Sequence, residues 1–439
     1  MTGRSGLAVP RSAERRAVGA VFIANGIAVG TFASRLPWIA ARLHLSSGLL
    51  GVVGLMTSVG AIAAIPIAAQ YVHRAGPKAA TRALIIASCL AAGLPVFAPD
   101  LAVLVLVMLV IGALIGTVDN AMNAQAVEAE ERAGRSIMSG LHGLWSVGVL
   151  AGALTSALAA HAHIDPRLQF AATAVVGAAG GAIATIWFIG SPSHGATLEG
   201  PSPHDRSAGG SGGSSPLDSS AGGSGGSSPL DSTVPKFAWP RGTLLLIGLV
   251  GFAAIFVEFA ANDWAAVFMH WDLHTSQAAA ALGTSVFAGS MAAGRLSGDV
   301  VVRRAGPVLV VRVCGVLGTA GCLLVAVAPD TAAAMTGFVL VGLGVSVVVP
   351  LVFAAAGRSG PSPAIGVAGV ATVAYGAGLA APSVMGGIAD ISSLRIAFAV
   401  SALLAVAVAA GATLLSPQAA PGEPYPAGEG RLEEDQLRR

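Results

Sequence analysis

The sequence predicts an all-α membrane protein with twelve transmembrane helices arranged in two pseudo-symmetric six-helix bundles. The chain of 439 residues is 54% hydrophobic and 10% charged, whereas soluble domains carry roughly 25% charged residues. Apolar runs recur along its length, and about 20 such residues suffice to cross a bilayer as a helix. Features of the first half also recur in the second half at one constant offset.

Twelve apolar segments are the predicted membrane spans. They comprise residues 17–42, 48–70, 83–98, 101–127, 136–160, 168–190, 241–268, 277–301, 307–328, 332–356, 363–388 and 395–415. A basic stretch from Arg11 to Arg16 precedes the first segment, as in a signal peptide. No small-residue cleavage site ahead of a soluble chain follows it, so we expect a first membrane helix there.

A low-complexity segment separates the two predicted bundles. The sequence Ser-Ala-Gly-Gly-Ser-Gly-Gly-Ser-Ser-Pro-Leu-Asp-Ser occurs at 207–219 and again at 220–232. This composition is typical of a flexible linker without a core of its own. The predicted domains are an N-terminal tail at 1–16, the first bundle at 17–190, the linker at 191–240, the second bundle at 241–415 and a disordered tail at 416–439.

The distribution of basic residues predicts the orientation. All but five of the 24 lysine and arginine residues fall on the side that holds both chain ends and the linker. The exceptions are Arg35, Arg42, Arg167, Arg295 and Arg395. Because cytoplasmic loops carry the excess of lysine and arginine, we expect both termini to be cytoplasmic.

The two halves match at an offset of 230 residues. Residues 72–82 and 302–312 are identical at six of eleven positions, and Arg304 aligns with Arg74 (304 − 74 = 230). Further pairs at this offset are His44 and His274, Gly112 and Gly342, and Trp145 and Tyr375. One offset that holds across loops and helices indicates duplicated halves.

Polar side chains inside the apolar segments mark a candidate site. Gly112, Gly116, Asp119 and Asn123 are spaced by four, three and four residues, which places them on one helix face. A carboxylate within the hydrocarbon costs about 2.5–3.5 kcal/mol on insertion scales, so this face should line a packed seam or a cavity. The candidate substrate- or proton-binding residues are Asn25, Arg35, Asp119, Asn123, His142, Trp145, Glu258 and Asn262.

The candidates of the first half also have structural interpretations. Asn25, Asp119 and His142 lie at similar depth, where they could bind a solute or a proton, or tie three helices together. At that depth His142 could hydrogen-bond to Asp119. Trp145 could stack on a ligand or pack in the core.

The charged residues of the other segments leave similar alternatives. Arg35 could bind a substrate carboxylate or form an internal ion pair with Glu258 or Asp263. Asp263 and Trp264 fall nearer the outer end of their segment, where a solvated acid and an interfacial aromatic are expected. Charges at the inner helix ends are expected to close a cytoplasmic gate. The predicted gating residues are Arg74, Arg295, Asp299, Arg303 and Arg304.

The sequence lacks the motifs that are typical of other functional classes. No Gly-x-x-x-x-Gly-Lys-Ser/Thr motif is present, which excludes a P-loop ATPase in this chain. No Ser/His/Asp or metal-ligand arrangement occurs outside the apolar segments, and the three cysteines lie inside them. A net charge of +2 implies no nucleic-acid partner. We expect a protein that is not an enzyme and needs no metal or cofactor.

Several motifs resemble those of one transporter family. They are Asp119-Asn-Ala-Met-Asn123-Ala-Gln125, Gly134-Arg135-Ser-Ile-Met-Ser-Gly-Leu-His142-Gly-Leu-Trp145-Ser, Glu258-Phe-Ala-Ala-Asn-Asp263-Trp264, Gly294-Arg295-Leu-Ser-Gly298-Asp299 and Val349-Pro350-Leu-Val-Phe-Ala-Ala-Ala-Gly357-Arg358. Over residues 17–415 the chain resembles the major facilitator superfamily, in a bacterial branch near the fucose permeases. The resemblance implies a monomer in the bacterial cytoplasmic membrane with a substrate site between its halves.

Two departures from the family pattern bear on mechanism. The family's loop signature after the second helix contains Asp-Arg, whereas this chain has His73-Arg74. Related sugar–proton symporters carry a carboxylate in the first helix, where this sequence has Asn25. Carboxylate-based coupling in the first half would therefore fall to Asp119.

The expected function is secondary active transport of a small polar solute by alternating access, coupled to protons. Two alternatives stay open. An exporter of amphipathic compounds predicts a cavity dominated by apolar and aromatic side chains, whereas the polar run from Asp119 to Gln125 favours a polar solute. A membrane sensor would bind a ligand without transporting it.

Overall fold

The computed structural model describes residues 11–133, 137–188, 240–359 and 362–416, and these are helical apart from short turns. The α-helices of this part of the chain are α1 (Arg11–Leu43), α2 (Ser47–Ala75), α3 (Pro77–Ala91), α4 (Leu101–Ala133), α5 (Met138–His161), α6 (Pro166–Ala184), α7 (Thr243–Trp271), α8 (Gln277–Ala305), α9 (Pro307–Ala326), α10 (Thr331–Val345), α11 (Val348–Ser359), α12 (Pro363–Ala374), α13 (Gly376–Ile391) and α14 (Leu394–Ala410). Short 3₁₀ turns lie at Pro95–Phe97, Thr185–Trp187 and Gly411–Leu415.

The helices confirm the predicted all-α membrane fold. Within the described residues, eleven helical segments are long and apolar enough to cross a membrane. α8 stands outside that set because its glycine, serine and charged residues make it less apolar. It has the same length as α7, 29 residues, and packs against α5, α7 and α10. α8 covers the remaining predicted span, residues 277–301.

The predicted domain boundaries can be compared with the structure where they adjoin described helices. α1 already begins at Arg11, so its helix extends into the predicted tail at 1–16. The tandem repeat of the linker lies outside the described residues, and so does the C-terminal tail beyond residue 416.

The offset of 230 residues reappears in the local geometry of the two halves. α2 and α8 begin and end at positions displaced by 230 residues. Ser46 and Ser276 cap them, each accepting a hydrogen bond from the backbone N–H three residues further on. Gly76 and Gly306 end them at the same φ of 78°, which favours glycine. The duplication therefore extends to caps and turns.

Two predicted spans of the second half are each divided into two helices. α10 ends at Val345 and α11 begins at Val348, where the sequence predicts one segment over 332–356. α12 and α13 meet at Tyr375, within the predicted segment 363–388. A broken membrane helix frees backbone polar groups, which are tolerated where protein or water satisfies them. Both breaks therefore indicate positions that face the interior.

Glycine residues bring the helices of the first bundle into close contact. A Cβ at Gly26 or Gly30 of α1 would overlap the backbone of α5. Gly112 of α4 lies in the same way against the carbonyl group of Thr57 in α2, and Gly116 lies against Ala61. Small residues permit such close packing between membrane helices. The glycines on the Asp119 face of α4 thus form the α2–α4 seam.

We predict that Gly112→Ala destabilises the protein by about 1–3 kcal/mol, as is typical of overpacking. The new Cβ would overlap the Thr57 carbonyl and push α2 away from α4. Gly180→Ala is the matched control, since a Cβ at Gly180 would meet no heavy atom within 4 Å. Thermal unfolding of the purified protein in detergent compares the two variants. Equal midpoints for both would contradict this interpretation of the seam.

Candidate functional site

A cavity of about 410 Å³ lies between the two bundles. This volume is within the range of about 300–1,000 Å³ that is typical of small-molecule sites. Its wall comes mainly from α1, α2, α4, α5, α7 and α8, and both helix breaks contribute through Val349 and Tyr375. The polar and amphipathic residues in the wall include Asn25, Thr57, Ser58, Asp119, His142, Trp145, Glu258, Asn262, Asp263, Arg295 and Tyr375. The rest of the wall is largely apolar.

The cavity is closed at the end of the molecule that holds the α1–α2, α7–α8 and α13–α14 connections. We call this end the loop side, and the opposite end the linker side. The Gly48 N–H of α2 donates to the Asp390 carboxylate of α13 at 3.1 Å. Nearer the cavity, the Ser58 hydroxyl donates to the carbonyl oxygen of Gly378 at 2.6 Å. α2 of the first bundle and α13 of the second therefore close the loop side together.

The cavity is open toward the linker side. Among the described residues, α4 has no extensive contact with α10 or α11. Tyr375 is 60% exposed although it lines the cavity, and Asp119 is exposed as well. A solute would therefore reach these two side chains from the linker side.

An ion pair between Glu258 and Arg295 lies in the wall of the cavity. Arg295 Nη2 of α8 donates to Glu258 Oε1 of α7 at 2.8 Å, and the two side chains are 11% and 17% exposed. Arg295 also donates to the Ser146 hydroxyl of α5 at 2.9 Å and to the Ser346 carbonyl at 3.4 Å. Ser346 lies at the break between α10 and α11. One guanidinium thus connects three helices of the site and one of the freed carbonyl groups.

Asn25 and Trp145, both predicted site residues, form a direct contact. The indole Nε1–H of Trp145 donates to Asn25 Oδ1 at 2.9 Å. The guanidinium of Arg295 lies 5.9 Å from the centre of the Trp145 ring, a distance at which a cation is attracted to the ring face. These contacts join α1, α5 and α8, so the polar residues of the two halves belong to one network.

Asp119 and His142 line the same cavity, but the hydrogen bond that their similar depth would allow is not present among the described residues. In this polar run, Asn120 Nδ2 donates to the backbone oxygen of Gly116 at 2.8 Å, and Asn123 Nδ2 donates to that of Asp119 at 2.9 Å. His142 instead packs edge-on against Phe22, with the ring centres 5.5 Å apart. Asp119 therefore faces the open cavity rather than a neighbouring helix.

Arg35 is paired differently from either prediction. Its side chain is 2% exposed, and its Nε donates to Gln169 Oε1 of α6 at 2.8 Å. Gln169 in turn donates to the Ser156 hydroxyl of α5 at 2.7 Å. No ion pair to Glu258 or Asp263 occurs among the described residues. The arginine faces the interior of the first bundle and ties α1 to α5 and α6.

Asp263 and Trp264 are not the interfacial residues that the sequence suggested. Both line the cavity, and Trp264 is only 3% exposed. Asn262 donates to Asp263 Oδ1 at 2.8 Å. Positions 255, 258, 259, 262, 263 and 267 of α7 all contribute to the wall, which is the spacing of one helix face. That spacing, counted from Glu258, is the signal that would have placed Asp263 in the site.

The predicted gating residues fall into two groups. Arg295 pairs with Glu258 inside the cavity and not with Asp299 one turn away. The others, Arg74, Asp299, Arg303 and Arg304, are exposed near the linker-side ends of α2 and α8. None of these four forms an ion pair in the described part of the chain.

Sequence comparison places this architecture in a family. Residues 18–381 match the model of the Major Facilitator Superfamily. The chain belongs to the major facilitator superfamily. It is 33% identical over 398 residues to an uncharacterized MFS-type transporter of Yersinia pestis, covering 90% of this chain and 93% of the relative. It is 30% identical over 401 residues to the uncharacterized transporter y4wD of Sinorhizobium fredii, covering 91% and 97%. The predicted superfamily is confirmed, and the protein is a membrane transporter rather than an enzyme.

Solved structures of this superfamily share the fold. A mutant form of the nucleoside transporter NupG superposes with a TM-score of 0.66 at 11% identity, covering 92% of this chain and 99% of NupG. A bacterial homolog of the lysosomal transporter Spinster, in an inward-facing and occupied conformation, superposes with a TM-score of 0.63 at 14% identity, covering 92% and 96%. At these identities the likeness concerns the fold.

We predict that Glu258→Gln lowers the thermal midpoint because it leaves the Arg295 charge without its carboxylate. Losing one partner costs about 3–5 kcal/mol in a fully buried pair and about 1 kcal/mol or less in an exposed one. The small exposed fractions place this pair nearer the buried limit. Adding Arg295→Gln should restore part of the midpoint, since the unpaired charge is then removed. A double variant whose loss equals the sum of the two single losses would show that the pair is not coupled.

Proposed function

We propose that this MFS protein is a secondary active transporter that moves a small polar solute across the bacterial cytoplasmic membrane by alternating access, with proton coupling. The observation that carries the proposal is the cavity between the halves, closed at the loop side and open toward the linker side. A site between the two repeats is what alternating access requires, because rocking of the halves then exposes it to one side at a time.

The basic residues support an assignment of the two sides. Because the excess of lysine and arginine lies on the linker side, that side would be cytoplasmic. The conformation described above would then be inward-open. Closing it would bring α4 toward α10 and α11, and the exposed Arg74, Asp299, Arg303 and Arg304 are our proposed gating charges at that end.

The polar network supports a polar solute. Asn25, Trp145, Glu258 and Arg295 are already linked to one another, and each lines the cavity. Their hydrogen-bond donors and acceptors could bind a hydroxyl, amide or amine group of the solute.

A second candidate, the export of amphipathic compounds, is favoured by one observation. The wall contains apolar patches from α2 and α4, including Val53, Met108 and Ile111. Uptake of a solute panel into everted membrane vesicles, with and without a pH gradient, separates the two candidates. Polar solutes accumulating under the gradient would support the first, and amphipathic dyes accumulating instead would replace it with the second.

Asp119 is the proposed proton-carrying residue of the first half. It is the acid on α4 that faces the open cavity, while Asn25 holds the position where related symporters have a carboxylate. We predict that Asp119→Asn abolishes accumulation of the solute in proteoliposomes and leaves counterflow largely intact. Asparagine mimics the neutral acid at nearly constant shape, so exchange without net proton movement would continue.

The control for this prediction is Glu131→Gln, which removes a carboxylate from an exposed position near the linker-side end of the same helix. It should leave both activities unchanged. Loss of accumulation and counterflow together in Asp119→Asn would instead indicate a solute-binding role. Full accumulation by Asp119→Asn would refute the proton role and leave Glu258 as the acid to test.

A further inference from the structure

Asp263 is an ionisable side chain in the cavity to which the proposed transport mechanism gives no role. It lies on α7, five residues after Glu258, and is half-buried in the cavity wall. Its carboxylate accepts a hydrogen bond from Asn262 at 2.8 Å. No lysine, arginine or histidine of the described residues forms an ion pair with it. Asp263 is therefore a carboxylate without a counter-charge in a membrane protein interior.

The charges of the cavity wall do not balance. Three carboxylates line it, Asp119, Glu258 and Asp263, against the one guanidinium of Arg295, with the imidazole of His142 counted as neutral. Arg295 pairs with Glu258, which leaves a formal charge of −2 on the other two (1 − 3 = −2). A charge removed from water is costly unless it is paired. The cavity therefore favours a ligand that brings a positive charge.

A positively charged ligand would stabilise the carboxylate of Asp263 more than that of Asp119. Asp119 is exposed at the open part of the cavity, where water can solvate it. Asp263 is less exposed than Asp119, being half-buried, and the adjacent Asn262 and Trp264 are 8% and 3% exposed. A positive group that reaches Asp263 would thus neutralise a poorly solvated carboxylate.

The side chains around the cavity suit an organic cation better than a metal ion. Phe32, Phe259 and Trp264 line the same cavity, and aromatic faces attract ammonium groups, most strongly when these are desolvated. Within the described residues, no group of three His, Cys, Asp or Glu side chains is placed to hold a metal ion. A carboxylate in a cavity that aromatic rings also line is the chemistry that recognises a protonated amine.

We propose that Asp263 binds the protonated amino group of the transported solute, so that the substrate class is small organic amines. This inference rests on the proposed transport function and narrows its polar solute to a cationic one. The amino group would take the position of the missing counter-charge. The rest of the molecule would occupy the space toward the Glu258–Arg295 pair and the open linker side.

The test compares amines with neutral molecules of nearly the same shape. Thermal stability of the purified full-length protein is titrated with glucosamine against glucose, 2-aminoethanol against ethylene glycol, and 1,5-diaminopentane against 1,5-pentanediol. We expect at least one amine to stabilise the protein at concentrations at least tenfold lower than its neutral partner. Asp263→Asn should abolish that preference. Asp165→Asn should retain it, since Asp165 caps α6 on the loop side and asparagine also caps a helix N-terminus.

Three results would overturn the inference. They are equal or stronger binding of the neutral partners, the absence of stabilisation by any amine of the panel, and an amine preference that survives Asp263→Asn. Amine binding that persists in Asp263→Asn while accumulation driven by a pH gradient is lost would reassign the residue to proton transfer. Transport of a neutral solute in vesicles would leave the proposed function standing without this inference, whereas no transport of any solute would remove the function itself.

Discussion

The ion pair between Arg295 and Glu258 places two charges inside the membrane, where neither is stable without the other. Taking each charge out of water costs several kcal/mol, and their attraction offsets this cost when further hydrogen bonds satisfy the remaining donors. Arg295 meets that condition through Ser146, the carbonyl of Ser346 and the ring face of Trp145. Because Ser146 and Trp145 belong to the first bundle, the pair also joins the two halves beside the cavity.

The duplicated halves supply one scaffold but two different sets of chemistry. Caps and turns repeat at an offset of 230 residues, down to the φ angles of Gly76 and Gly306. The polar side chains of the site do not repeat: the counterpart of Asn25 is Ile255 (25 + 230 = 255), and that of Asp119 is Val349, although all four line the cavity. Backbone geometry is constrained by packing in both halves, whereas a side chain that faces the cavity is free to differ. The result is a symmetric frame around an asymmetric binding site.

The fold was predictable because its signals lie along the chain. Hydropathy marks the spans, and the constant offset marks the halves. The site was predictable only in part, since its residues meet through helix rotation and packing between distant segments. Asn25 and Trp145 were both candidates, and their contact depends on α1 and α5 approaching closely at glycines. Depth alone predicts that Asp263 lies at the interface, whereas the rotation of α7 turns it into the cavity.

Ion-pair partners were the least predictable feature. The sequence predicts that Arg295 and Asp299 both serve a cytoplasmic gate, yet Arg295 reaches Glu258 on the neighbouring helix. Arg35 was expected to meet an acid and instead meets Gln169. Sequence spacing reports neighbours on one helix, and it contains no information about which other helix lies opposite. The breaks at Ser346 and Tyr375 were missed because apolar residues continue through them.

Alternating access requires that the cavity opens to one side of the membrane at a time. Spin labels at Val52 and Ile391 report the loop-side distance between α2 and α13, and labels at Val127 and Arg358 report the linker-side distance between α4 and α11. All four positions are exposed. These two label-to-label distances are measured by pulsed electron–electron double resonance in lipid nanodiscs, with and without solute. We expect two populations of molecules, and the loop-side distance should be longer in the population in which the linker-side distance is shorter. Distances that lengthen together, as in a channel, or that keep a single population in every condition would contradict alternating access by this protein.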